Sequence, residues 1–140
     1  MKNKILLFIA VIALMGCNNP ATSQDTATAD SPTVEIDQNQ PIYQKLSGQI
    51  FKAKLAAATD PIILDVRTPK EVAGGTLPNA MVINIYDDNF QEQLKGLDNT
   101  KPVFVYCKSG GRSGQAMSMM KGLGFQEVYD LVGGYTAFPK

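Results

Sequence analysis

Cys107-Lys108-Ser109-Gly110-Gly111-Arg112-Ser113 is the stretch of this chain whose residue types and spacing suit covalent chemistry. A lone cysteine follows the apolar run Pro102-Val103-Phe104-Val105-Tyr106 and precedes a helical pattern. The run is short, continuous and rich in β-branched and aromatic residues, which predicts a buried strand. A strand, a glycine-bearing turn and a helix N-terminus together form an anion cradle. Successive backbone N–H groups point inward there, and the helix dipole adds partial positive charge. A thiol at the mouth of such a cradle is expected to ionise easily, because the thiolate is stabilised relative to the thiol. The chemistry predicted is that of a sulfur nucleophile aimed into a pocket for anions.

Composition narrows the alternatives. The 140 residues suffice for one ordinary domain. The formal net charge is zero, and no basic run points to nucleic acid as a partner. The chain has no histidine, which removes Ser-His-Asp and Cys-His catalysis and His-based zinc sites. With two cysteines, Cys17 and Cys107, no thiolate metal cluster is expected, and no cofactor is predicted.

The start of the chain predicts a targeting segment. Lys2 and Lys4 precede an unbroken apolar run from Ile5 to Met15. That run is too short for a stop-transfer helix and suits a signal-peptide core. It ends Leu14-Met15-Gly16-Cys17, which resembles a bacterial lipobox. Residues 1–16 are therefore expected to be a lipoprotein signal peptide and Cys17 the lipidated residue; the alternative is a plain secretory signal with Cys17 merely nearby. The location implied is the bacterial cell envelope, anchored to a membrane through Cys17. Asn18 supplies no aspartate-type retention signal, which favours an outer membrane. Residues 17–40 carry no aromatic residue and no apolar period, so they read as a flexible tether. Cys107 is then the one thiol left without lipid. In an oxidising compartment it has no internal partner, so it is either buried and inert or kept for chemistry.

Residues 41–140 form the folded domain. A helix is expected over 50–58, with Ile50, Leu55 and Ala58 near one face, stopped by Asp60-Pro61. Residues 62–66 predict a buried strand. Thr68-Pro69-Lys70-Glu71 has the form of a helix start, with Thr68 as N-cap and Glu71 closing a capping box. A strand is expected over 80–85, a helix over 88–96, the strand 102–106, a helix over 113–123 and a last strand over 128–131. In the 113–123 helix Ala116, Met119, Met120 and Leu123 stand at helical spacing, with Gly124 as the C′ residue. Its methionines fit core gap-filling better than a soft-metal surface. Strands alternating with helices, and apolar throughout, predict an α/β domain with a mostly parallel sheet of about five strands, flanked by helices on both faces. Ligands of such sheets sit at the carboxyl ends of strands, where Cys107 lies.

Three blocks resemble the single-domain rhodanese (sulfurtransferase) family: Leu64-Asp65-Val66-Arg67-Thr68-Pro69-Lys70-Glu71, the Cys107–Ser113 loop, and Leu131-Val132-Gly133-Gly134. Two positions depart from the family pattern. Gly75-Thr76-Leu77-Pro78-Asn79-Ala80 stands for the usual Gly-His-Ile-Pro-Gly-Ala, and Phe138 stands where a tryptophan often follows the glycine pair. Both are expected to be changes of scaffold. The resemblance implies that Cys107 takes sulfur from a small anionic donor as a persulfide and passes it to a thiol, cyanide or protein acceptor. N–H groups from Lys108 to Arg112 would hold the negative charge, with Gly110 and Gly111 at positive φ. Lys108 and Arg112 would add positive charge beside the pocket, or Arg112 would orient the donor in a forked contact. Ser109 and Ser113 are expected as loop and helix-cap hydroxyls. Asp65 and Arg67 match positions that order the family's site, and Arg67 is expected to pair with either Asp65 or Glu71. The alternatives are a persulfide carrier or sulfide-sensing module with little turnover, a cysteine phosphatase, and an inactive scaffold. The phosphatase loop is one residue wider between cysteine and arginine than Cys107 to Arg112.

Overall fold

The computed structural model describes residues 40–140. The expected signal peptide, Cys17, and the tether up to residue 39 lie outside the described residues. The chain runs β1 (Ile42–Leu46), α1 (Gly48–Ala57), β2 (Ile62–Asp65), α2 (Pro69–Val72), β3 (Met81–Val82), α3 (Phe90–Lys95), β4 (Val103–Tyr106), α4 (Gly111–Gly122), β5 (Glu127–Leu131) and α5 (Gly134–Ala137).

All strand pairings are parallel, in the order β1-β5-β4-β2-β3. From β2 the chain steps outward to β3 and then crosses back to β4 on the other side of β2. The direction of winding therefore reverses between β2 and β4. Crevices at such reversals, outside the carboxyl ends of the strands, are where open α/β sheets bind ligands. The register pairs Asp65 with Tyr106, so Arg67 and Cys107 leave the sheet side by side at this point.

Side-chain alternation on β4 divides the core. Val103, Val105 and Cys107 join Leu64, Val66, Phe90, Leu94, Ala116, Met120, Phe125 and Val128 on the face covered by α3 and α4. Phe104 and Tyr106 join Leu46, Phe51, Tyr129 and Leu131 on the face covered by α1 and α5. Phe51 anchors that second face, edge-on to Phe104 at 5.2 Å between ring centroids and to Phe138 at 6.3 Å. Burying such a ring contributes about 1.5–3 kcal/mol. Phe138 thus serves the scaffold, as its place in the sequence implied.

Several elements differ from expectation. Helix α1 turns Phe51 inward, fully buried, and leaves Ile50 56% exposed, because the side chain that meets Phe104 decides the buried face. Met119 is likewise on the outside of α4, with Ala116 and Met120 inside. The third strand shortens to two residues, although Ile83 and Ile85 still donate to the carbonyls of Asp65 and Val66. Strand β1 has no counterpart in the sequence reading. It lies at the sheet edge with mostly exposed side chains, so it lacks the continuous apolar run of a central parallel strand. Asn79 adopts φ +60°, a left-handed conformation that asparagine tolerates better than most residues. That explains how it can stand where the family pattern carries glycine.

Candidate active site

Strand β4 delivers Cys107 to the switch point, and the next three residues turn the chain into α4. Gly110 makes the turn at φ +97°, the left-handed region. Gly111 has no positive φ and opens the helix instead, so of the two expected glycines only Gly110 needs that freedom. A Cβ at Gly111 would meet nothing within 4 Å, which leaves the first turn of α4 open.

The sulfur sits inside this turn. Gly110 N–H donates to Cys107 Sγ at 3.1 Å, and the Ser113 hydroxyl lies 3.5 Å from it. Cys107 is 1% exposed. Burial alone would push the thiol up. The Ser113 hydroxyl and the N–H groups of Ser113, Ser109 and Gly110 oppose it, and the thiol ends below its ordinary value. The cysteine is thus buried, and its charged form is reached more easily than in an ordinary thiol. The donors that act are fewer than the whole Lys108–Arg112 run. Ser113 takes a more direct part than a cap hydroxyl, because the third position of α4 faces inward and its side chain is fully buried.

The loop's carbonyls point the other way and are held by the residues that follow the third motif. Tyr135 N–H donates to Cys107 O at 2.7 Å, and the Thr136 hydroxyl donates to Lys108 O at 2.9 Å. Gly133 and Gly134 bring α5 this close. A Cβ on Gly134 would lie 2.5 Å from the Lys108 carbonyl carbon. Tyr135 and Thr136 are functional neighbours that the sequence reading missed; the glycine pair before them was the available signal.

Charged side chains around the loop are arranged in pairs. Arg67 Nη2 meets Asp65 Oδ2 at 2.6 Å, and Arg67 Nε meets Asp65 Oδ1 at 2.9 Å. Arg67 also donates to Gly75 O at 2.7 Å and lies 4.1 Å from the Tyr135 ring centroid. Of the two expected partners it takes Asp65, and both side chains are almost fully buried. Their role is to fix the β2 end against α2 and α5. Glu71 is claimed instead by Arg112, in a forked contact at 2.6 and 2.7 Å. This corrects the expectation that Arg112 offers an unpaired charge to the pocket. Its charge is shared with Glu71, which also closes the capping box on Thr68. Lys108 and Ser109 are exposed, and no ion pair among the described residues involves Lys108. A cavity of about 240 Å³ lies beside the loop, walled by Arg67, Glu71, Lys108, Tyr135 and Thr136.

Arg112 holds the Glu71 carboxyl down to about 2 against an ordinary 4.5. A depressed carboxyl contributes stability that is present above about 4.5 and is lost as pH falls toward 2. The urea midpoint is expected to drop as pH falls from about 4.5 to about 2, the window set by those two values. Glu71→Gln is expected to flatten that slope and cost about 1–3 kcal/mol at neutral pH. An unchanged slope would show the pair to be irrelevant to folding.

The family model for the rhodanese-like domain matches residues 47–140. A protein of Allochromatium vinosum named sulfurtransferase is 28% identical over 99 residues, covering 71% of this chain and 91% of that protein. YqhL of Bacillus subtilis is 32% identical over 96 residues, covering 69% of this chain and 72% of that one. Among solved structures, a rhodanese-like domain protein from Staphylococcus aureus superposes with a TM-score of 0.61 at 26% identity, covering 70% of this chain and 93% of that one. A rhodanese-related protein from Thermoplasma volcanium gives a TM-score of 0.58 at 27% identity, covering 69% and 96%. The family match spans the domain from α1 onward and includes all three motifs around the sulfur, so the chain belongs to the rhodanese-like domain family.

Proposed function

We propose that this protein is a sulfurtransferase that moves a sulfane sulfur from an anionic donor, thiosulfate-like or polysulfide, to a thiophilic acceptor through a persulfide on Cys107. The observation that carries this function is a buried thiol held below its ordinary value by donors of the Cys107–Ser113 loop. The family and the sulfurtransferase name of the Allochromatium relative support it.

In the first half-reaction the Cys107 thiolate attacks the donor's outer sulfur. A new S–S bond forms as the donor's own S–S bond breaks, and that bond's electron pair leaves on the donor remnant, sulfite in the case of thiosulfate. In the second, an acceptor thiolate or cyanide attacks the outer persulfide sulfur, and the electron pair of the cleaved S–S bond returns to Cys107 Sγ. Each step is a displacement with no net oxidation beyond the sulfur transferred, and two half-reactions give ping-pong kinetics. Lys108, exposed and in no ion pair among the described residues, supplies the cation that attracts the donor. The near-complete burial of Cys107 favours a long-lived persulfide and keeps a carrier role as the second reading. Cys17 is proposed as a lipid anchor that holds the domain at a membrane of the cell envelope.

Intact-protein mass spectrometry after exposure to thiosulfate or polysulfide is expected to show a gain of one sulfur atom. The gain should vanish in Cys107→Ser; a persistent adduct would place the nucleophile elsewhere. The donor half-reaction should rise with pH as the thiolate forms, with its midpoint below that of an ordinary thiol. A rapid loss of the adduct on adding cyanide supports turnover, and an adduct that survives cyanide supports the carrier. Lys108→Ala is expected to raise the KM for thiosulfate about two- to fivefold at low salt, the scale of an exposed ion pair, with kcat little changed. An unchanged KM would remove Lys108 from donor binding. A palmitate analogue fed to cells is expected to label the full chain and not Cys17→Ser; absence of label on the unaltered chain would discard the anchor.

A further inference from the structure

The cavity beside the sulfur loop is lined by Arg67, Glu71, Lys108, Tyr135 and Thr136, and three of these side chains are already engaged. Arg67 directs all three guanidinium nitrogens at Asp65, Gly75 O and Glu71 O. Both Glu71 oxygens accept from Arg112, and one of them accepts from Thr68 as well. The Thr136 hydroxyl gives its hydrogen to Lys108 O. Lys108 and Tyr135 remain. Among the described residues Lys108 is in no ion pair, and the Tyr135 hydroxyl makes no hydrogen bond. An ammonium and a phenol hydroxyl both have hydrogens to donate. The cavity therefore presents two unfilled donors, and Lys108 is the one charge on its wall without a partner of opposite sign.

Tyr135 is the fixed member of the pair. Its N–H donates to Cys107 O at 2.7 Å, which sets its backbone against the residue that carries the sulfur. Its ring stacks on Tyr106 with centroids 6.0 Å apart, and the Arg67 guanidinium lies 4.1 Å from its centre. The ring is thus held at both backbone and face, whereas Lys108 stands on a flexible four-carbon stem. The hydroxyl ends in open space beside Gly75. A Cβ at Gly75 would come 3.2 Å from the hydroxyl oxygen and, its chain neighbours aside, would meet no other atom within 4 Å. Gly75 has φ +107°, so the backbone itself calls for glycine and the space stays open.

We propose that the Tyr135 hydroxyl is a specificity-determining group of the sulfur site: with Lys108 it receives the oxygen-bearing end of a sulfonate-type donor such as thiosulfate, while that donor's outer sulfur faces Cys107. The sulfonate end presents three oxygens that accept and none that donates, which matches a wall of donors. A hydrogen bond to an ionised acceptor is of the stronger kind. A polysulfide carries no oxygen and draws on the Lys108 charge alone. Tyr135 thereby separates two donor classes that the thiol by itself does not distinguish. No bond forms or breaks at Tyr135, and its role rests on the proposed transfer through Cys107.

The test is Tyr135→Phe, which removes the hydroxyl and keeps the ring against Tyr106 and Arg67. The KM for thiosulfate is expected to rise about three- to tenfold, the scale of one hydrogen bond, with the KM for polysulfide and the melting temperature unchanged. Equal changes for both donors would mark a residue that only supports the loop and would overturn the proposal, as would an unchanged KM for thiosulfate. Binding is read separately from reaction in Cys107→Ser, which cannot take up sulfur. Calorimetry is expected to show thiosulfate binding to Cys107→Ser, weakened by about the same three- to tenfold when Tyr135→Phe is added. Sulfate, which has the oxygens and no transferable sulfur, is expected to compete. Equal binding with and without the hydroxyl, no binding at all, or no competition by sulfate would each overturn the role of Tyr135. A protein that takes up no sulfur would lose its proposed reaction, while this binding still judged Tyr135.

Discussion

A sulfur atom taken almost wholly out of water holds a negative charge only where fixed dipoles replace the lost hydration. Everything around Cys107 answers to that constraint. Burial disfavours the thiolate, and the short turn from Cys107 to Ser113 more than offsets it. The polar groups of the turn are divided by direction. N–H groups face the sulfur, while the carbonyls of Cys107 and Lys108 face α5 and accept from Tyr135 and Thr136. A loop with its carbonyls held from behind keeps its donors aimed forward.

The charges around the turn follow the same logic of fixed position. Asp65 and Arg67 are paired in the interior, and Arg67 is further held by the Gly75 carbonyl and the face of Tyr135. A buried pair of this kind contributes little net stability and much definition of geometry. It locks the end of β2 against the segment before Leu77, whose N–H donates to the Tyr106 hydroxyl on β4. Glu71 and Arg112 tie α2 to the first turn of α4. The two helices that border the crevice are thereby spaced by a forked ion pair, and Lys108 faces solvent beside them.

Most of the architecture was legible because local signals and tertiary packing agree. The apolar run before Cys107, the capping box at Thr68 and the glycines near 110 and 133 each carry a local cause that the fold preserves. The inward faces of α1 and α4 were less legible, since Phe51 and Met120 are chosen by rings and strands distant in sequence. Strand β1 escaped because an edge strand needs little apolar character. At the site, the cysteine, Gly110 and the Asp65–Arg67 pair were within reach of sequence reasoning. The partner of Arg112 was not: whether Glu71 answers Arg67 or Arg112, 41 residues away, depends on how α2 meets α4. Ser113 was underrated for a similar reason, since its inward aim follows from where α4 starts.

The sheet pairs β1 with β5, and the residues that brace the sulfur loop, Gly133 to Thr136, follow β5. During synthesis, therefore, every strand leaves the ribosome before the piece that locks the thiol in place. Until then the carbonyls of Cys107 and Lys108 have no donors from α5 behind them, so the backing of the sulfur loop is completed by the last of the described helices.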